Sequence, residues 1–141
     1  MLSTLLDEFL TENTPMQSGP KGAILIIDDE EGIRAVLQAI LDSTGIATLE
    51  APDAKTALAV LAEKKDTIEA CMLDMNLEDS YGEHLYDKLK AISPELKVFA
   101  MSGIFGEEIK ERLGDREIAG LISKPFSTSQ LLATVQAGLE A

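Results

Sequence analysis

Two neighbouring aspartates, Asp28 and Asp29, end the apolar run "AILIID" and its flank. A third, Asp74, closes the apolar run "IEACMLD", Ser102 closes "KVFAMS", and Lys124 closes "AGLISK". Three carboxylates drawn together within a few ångströms repel, and at least one stays protonated unless positive charge is brought in. Two sources of charge suit these residues. One is a hard divalent cation with oxygen ligands and retained waters, which fits Mg²⁺. The other is the Lys124 ammonium. A carboxylate beside a metal and a lysine can attack phosphorus, because both charges neutralise the equatorial oxygens of the transferred group. Aspartate is a competent nucleophile for that transfer and gives a labile acyl phosphate. The Ser102 hydroxyl can donate to a phosphate oxygen. Taken singly, each residue has a plainer role. Asp29 or Glu30 can cap a following helix, while Asp74, Ser102 and Lys124 suit turns or strand ends. The chemistry rests on their joint placement.

That placement depends on the elements between them. "AILIID" and "IEACMLD" are short apolar runs of the kind that form buried strands, and "IATLEA", "KVFAMS" and "AGLISK" read as further short strands. Between them lie "EGIRAVLQAILDSTG", stopping at Gly45, and "DAKTALAVLAEKK", with Asp53 as N-cap. "GEHLYDKLKAI" stops before Pro94, "GEEIKERLG" is a short helix, and "STSQLLATVQAGLEA" closes the chain behind a Ser or Thr cap. The "EDS" row after Asn76 reads as a polar loop and helix cap. Five strand–helix units with short connections predict an α/β fold: a doubly wound parallel sheet with helices on both faces. Its ligand site belongs at the carboxyl ends of the strands, where strand order reverses. All five chemical residues end strands, so all fall on that edge.

The chain of 141 residues is sized for one domain, placed at residues 23–141. Ahead of it, residues 1–22 comprise an amphipathic helix over 1–12, "MLSTLLDEFLTE", and a Pro/Gly-rich linker. A helix of about twelve residues is marginal alone and needs a surface to lie on. It could be a dimerisation arm giving a homodimer, a lid on its own domain, a partner-binding helix or a frayed tail. The net charge of -13, from 25 acidic and 12 basic residues, repels nucleic-acid phosphates and anionic membranes. The chain shows neither a signal peptide nor an apolar span of roughly 18 to 20 residues, so a cytoplasmic location is expected. Cys71 is the only cysteine and sits in an apolar run, as a buried, inert thiol. His84, the only histidine, lies on a helix without a ligand-type partner and reads as solvated.

From about Ala23 onward the chain resembles the receiver domains of two-component response regulators. Asp28 and Asp29 after the first strand, Asp74 after "CML", Ser102 after "VFAM", and "KPF" at Lys124–Phe126 carry the likeness. The resemblance implies a flavodoxin-like strand order, 2-1-3-4-5, with five helices. It implies that Asp28, Asp29, Asp74 and the backbone carbonyl of Asn76 bind Mg²⁺. Asp74 would accept a phosphoryl group from a histidine kinase or histidine phosphotransfer protein. Ser102 would then swing toward the phosphate, Lys124 would pair with it, and the Lys124–Pro125 bond would be cis. Output would be phosphorylation-dependent binding of a downstream protein. Activity would be limited to self-phosphorylation from phosphodonors and slow autodephosphorylation, without enzymatic turnover. Two positions depart from the family. Glu78 stands where proline is frequent, although Gly82 is kept. Leu121 stands where Tyr or Phe usually reports phosphorylation by rotating, and leucine presents no comparable ring. Two alternatives remain: a receiver segment of a hybrid histidine kinase, and an aspartyl-nucleophile phosphatase. The second requires an acid/base Asp two residues after the nucleophile, where this chain has Asn76.

Overall fold

The computed structural model describes residues 22–103 and 106–140. The expected N-terminal helix of residues 1–12 and most of its linker lie outside them. Five strands alternate with five helices: β1 (Ala23–Ile27), α1 (Glu31–Asp42), β2 (Thr48–Ala51), α2 (Ala54–Lys64), β3 (Ile68–Asp74), α3 (Gly82–Ile92), β4 (Lys97–Ser102), α4 (Gly106–Leu113), β5 (Gly120–Ser123) and α5 (Thr128–Glu140). The strands form one parallel sheet in the order β2-β1-β3-β4-β5. This is the doubly wound arrangement expected from the alternation, in the flavodoxin-like order.

Strand side chains alternate between faces, so an apolar run feeds two cores at once. Ile24, Ile26, Ala70, Met72, Phe99, Met101 and Ile122 pack with Leu37 and Leu41 of α1 and Leu131 and Val135 of α5. On the other face Leu25, Ile27, Cys71, Leu73, Val98 and Ala100 pack with Leu61 of α2, Leu85 and Leu89 of α3, and Ile109 of α4. Burying one such aliphatic side chain stabilises by about 1.5–3 kcal/mol, which is why the central stretches of β1, β3 and β4 are apolar. Leu121 is half-buried against the second of these cores.

The caps refine the reading of the loops. Asp53 caps α2 as expected, accepting from Thr56 N at 2.7 Å. Ser127 Oγ accepts from Gln130 N at the start of α5. Glu30 occupies the N-cap of α1 but makes no side-chain cap bond. The "EDS" row does not cap the helix that follows it. Tyr81 holds that position without a side-chain bond, and Asp79 instead accepts from Ala54 N at 3.0 Å, closing the start of α2. Among the described residues no helix is long and apolar enough to cross a membrane.

Candidate functional site

After β2 the chain returns past β1 to lay β3 on its other side, so strand order reverses between β1 and β3. Ile27 pairs with Leu73 in the register of these two strands. The residues that follow, Asp28 and Asp74, therefore stand side by side at the carboxyl edge, on strands about 4.8 Å apart. Met101, ahead of Ser102, pairs with Asp74 across to β4, and Ser102 pairs with Ser123, which precedes Lys124. Register alone thus gathers the expected residues on one edge.

The side chains converge as well. Asp28, Asp29 and Asp74 each offer an oxygen within 4.8 Å of the others. Asp28 is fully buried and Asp74 nearly so, while Asp29 is half-exposed. Lys124 Nζ donates to Asp28 Oδ2 at 2.6 Å and lies 3.4 Å from Asp74 Oδ2. Lys124–Pro125 is cis. Asp28 Oδ1 also accepts from Glu30 N at 2.9 Å, and Asp74 Oδ1 from Asn76 N at 3.0 Å. Ser102 is buried at the end of β4, and its carbonyl accepts from Lys124 N.

Burial raises the Asp74 pKa above the ordinary carboxylate value. The Asn76 N–H and the Lys124 charge pull it down, and the Asp28 charge pushes it up, but burial prevails. Burial alone would lower the Lys124 pKa. The hydrogen bond to Asp28 and the charges of Asp74 and Asp28 outweigh it and hold the ammonium above an ordinary lysine. One ammonium thus contacts two buried carboxylates of a cluster of three. Such an all-oxygen, charge-deficient pocket suits a small hard dication.

Two arginines at this edge carry no signal in the sequence. Arg34 of α1 donates to the Asp28 carbonyl at 2.7 Å and to Glu50 at 3.0 Å, joining the ends of β1 and β2. Arg112 of α4 donates to the Met75 carbonyl at 2.8 Å, to Asn76 Oδ1 at 2.9 Å, and to both carboxylate oxygens of Glu83 at 2.7 and 3.2 Å. Its guanidinium also lies 5.9 Å from the centre of the Tyr81 ring. Both arginines occupy ordinary polar positions in amphipathic helices. Arg34 reaches Asp28 six residues back and Glu50 sixteen ahead, and the partners of Arg112 lie 29 to 37 residues away, out of reach of any local pattern. His84 is exposed, as expected, with its ring edge-on to Tyr81.

Comparison with known proteins agrees with this geometry. The profile of the response regulator receiver domain matches residues 24–136. The nitrogen assimilation regulatory protein NtrX of Azorhizobium caulinodans is 33% identical over 83% of this chain and 26% of its own length. The sensor kinase CckA of Brucella abortus is 25% identical over 99% of this chain and 16% of its own length. The chain thus spans about a quarter or less of these curated relatives. The crystal structure of the receiver domain of NtrX from Brucella abortus superposes with a TM-score of 0.76 at 33% identity, covering 84% of this chain and 98% of that one. The chain belongs to the receiver-domain family of two-component response regulators.

Proposed function

We propose that this receiver takes a phosphoryl group on Asp74 from a phosphohistidine of a histidine kinase or phosphotransfer protein, and signals by binding a downstream protein according to that state. The observation that carries the reading is the convergence of Asp28, Asp29 and Asp74 at the switch point of the sheet, with the Lys124 ammonium against Asp28 and Asp74. An Asp74 oxygen attacks phosphorus in line with the departing imidazole nitrogen. The P–N bond breaks as the P–O bond forms, and the leaving imidazole takes a proton from solvent. The product is an acyl phosphate on Asp74. In this reading Lys124 balances charge on the transferred oxygens and Ser102 donates to one of them. Mg²⁺, when bound by Asp28, Asp29, Asp74 and the Asn76 carbonyl, supplies the remaining positive charge. The protein acts in the cytoplasm as a signalling component without multiple turnover.

Incubation with acetyl phosphate or phosphoramidate and Mg²⁺ should add one phosphoryl group by intact mass. Full labelling of Asp74→Ala under the same conditions would overturn the assignment. A second reading, in which this receiver operates as a segment of a hybrid sensor kinase, is favoured by the likeness to CckA along nearly all of the chain. Phosphotransfer profiling against the histidine kinases of the source organism separates the two. Phosphatase chemistry is disfavoured, since Asn76 offers no ionisable group and its amide oxygen is held by Arg112.

A further inference from the structure

We infer that Arg112 is a positioning residue for the metal site: it fixes the Met75–Asn76 peptide and the Asn76 side chain, which together set the following peptide that carries the Asn76 carbonyl, and so it links α4 to cation affinity. The inference rests on the reading that Asp28, Asp29, Asp74 and the Asn76 carbonyl bind Mg²⁺. Of the four ligands, three are side chains that can adjust by rotating. The fourth is backbone, and its position depends on the loop that follows β3.

That loop is held at both ends of one peptide unit. The Asn76 N–H donates to Asp74 Oδ1, so the nitrogen end of the Met75–Asn76 peptide is tied to the acceptor itself. The carbonyl end accepts from Gly82 N at 3.0 Å and from Arg112 Nη2 at 2.8 Å, using both lone pairs of the Met75 oxygen. The same guanidinium bonds the Asn76 side chain through Nη1. With this peptide plane and the Asn76 side chain both fixed, the next peptide, which carries the Asn76 carbonyl, has little freedom left. Glu83 turns the fork toward the loop by taking Nε and sharing Nη2. Only a planar fork with several N–H groups can serve Met75, Asn76 and Glu83 together. A lysine in its place is a single point donor.

A merely structural role for Arg112 makes a different prediction. Arg116 supplies a matched control. It pairs with Asp87 of α3 through two bonds of 2.8 Å and donates to the Leu113 and Arg112 carbonyls at the end of α4, fastening the same region to the same helix without touching the loop after Asp74. If Arg112 only fastens α4 to the domain, Arg112→Ala and Arg116→Ala should lower thermal stability and leave cation affinity alone.

The experiment titrates Mg²⁺ into the folded wild type, Arg112→Ala, Arg112→Lys and Arg116→Ala, reading Kd by calorimetry. Hydrogen exchange across α4 is followed with and without the ion. Groups that orient metal ligands from outside typically change affinity by about tenfold or more. We expect Kd to weaken about tenfold in Arg112→Ala, to recover little in Arg112→Lys, and to stay unchanged in Arg116→Ala. Because coupling is reciprocal, Mg²⁺ should slow exchange in α4 of the wild type and not in Arg112→Ala. Equal Kd in wild type and Arg112→Ala overturns the inference while leaving the metal site intact. So does an equal loss in Arg116→Ala, which would mark the effect as general loosening. A wild type that binds no Mg²⁺ overturns the site reading and this inference with it.

Discussion

Replacing Lys124 by methionine removes the ammonium while keeping most of the stem. Asp28, fully buried, then loses its partner at 2.6 Å, and Asp74 loses a positive charge at 3.4 Å. Breaking a buried ion pair from one side costs about 3–5 kcal/mol. The lower end applies here, because each carboxylate keeps a backbone N–H donor, from Glu30 and from Asn76. The Mg²⁺-free variant at about pH 7.5 should therefore be about 3 kcal/mol less stable than wild type. For a domain of this size that is a fall in Tm of about 10 °C. Two titrations test the cause. Mg²⁺ at a hundred times its Kd stabilises by about 2.7 kcal/mol, and it should bind the variant more tightly because the pocket is more negative, so the deficit should narrow. Lower pH should narrow it as well. The Asp74 pKa is raised in the folded state. Its protonated form therefore stabilises fully below the unfolded value of about 3.9, and this is lost as pH rises through the folded value. Chemical denaturation with and without Mg²⁺ measures all three quantities. A deficit under about 1 kcal/mol, or one indifferent to both Mg²⁺ and pH, would refute the claim that Lys124 neutralises this pocket.

Gly82→Ala would put a methyl group 2.6 Å from Met75 Sδ and 2.7 Å from Met75 Cα. Such overpacking should cost about 1–3 kcal/mol in urea unfolding and weaken Mg²⁺ binding, since the Met75 peptide must shift. The Glu83 pKa is lowered by its hydrogen bond from Arg112. Its contribution is therefore present above the unfolded value of about 4.3 and lost as pH falls through the folded one; Glu83→Gln should flatten that part of the stability profile. Asp53→Ala removes the cap of α2 and should cost about 1 kcal/mol without altering the phosphorylation rate. The Cys71 thiol is buried, with its pKa pushed up to about 12; a maleimide should label it only as fast as the protein opens, and fast labelling under native conditions would contradict that burial.

β1, β3 and β4 and their terminal residues were legible in the sequence because burial on two faces demands apolar stretches, and a polar residue marks each exit. Asp28, Asp74 and Ser102 stood out for that reason. The caps were half-legible. Asp53 bonds three residues ahead and follows a local rule, whereas Asp79 caps a helix 25 residues earlier. Arg112 was not legible at all. In "GEEIKERLG" it looks like Lys110, and only the fold aims one of them at Met75 and Asn76. Leu121 could be noticed by its residue type, but its packing against the α2–α4 core depends on which face of β5 it occupies.

Phe99 offers a practical corollary. A methyl group at Gly138 would lie 2.4 Å from its ring, and one at Gly120 would lie 3.1 Å from it. The end of α5 thus rests almost directly on the aromatic ring, with no side chain of its own between. A helix seated this closely cannot slide without opening the sheet, whereas α4 reaches the site through the long side chain of Arg112. In a distance measurement by paired labels, α5 should serve as the fixed reference and α4 as the moving arm. Pairs placed within α5 and the sheet should return the same separation whatever the charge on Asp74.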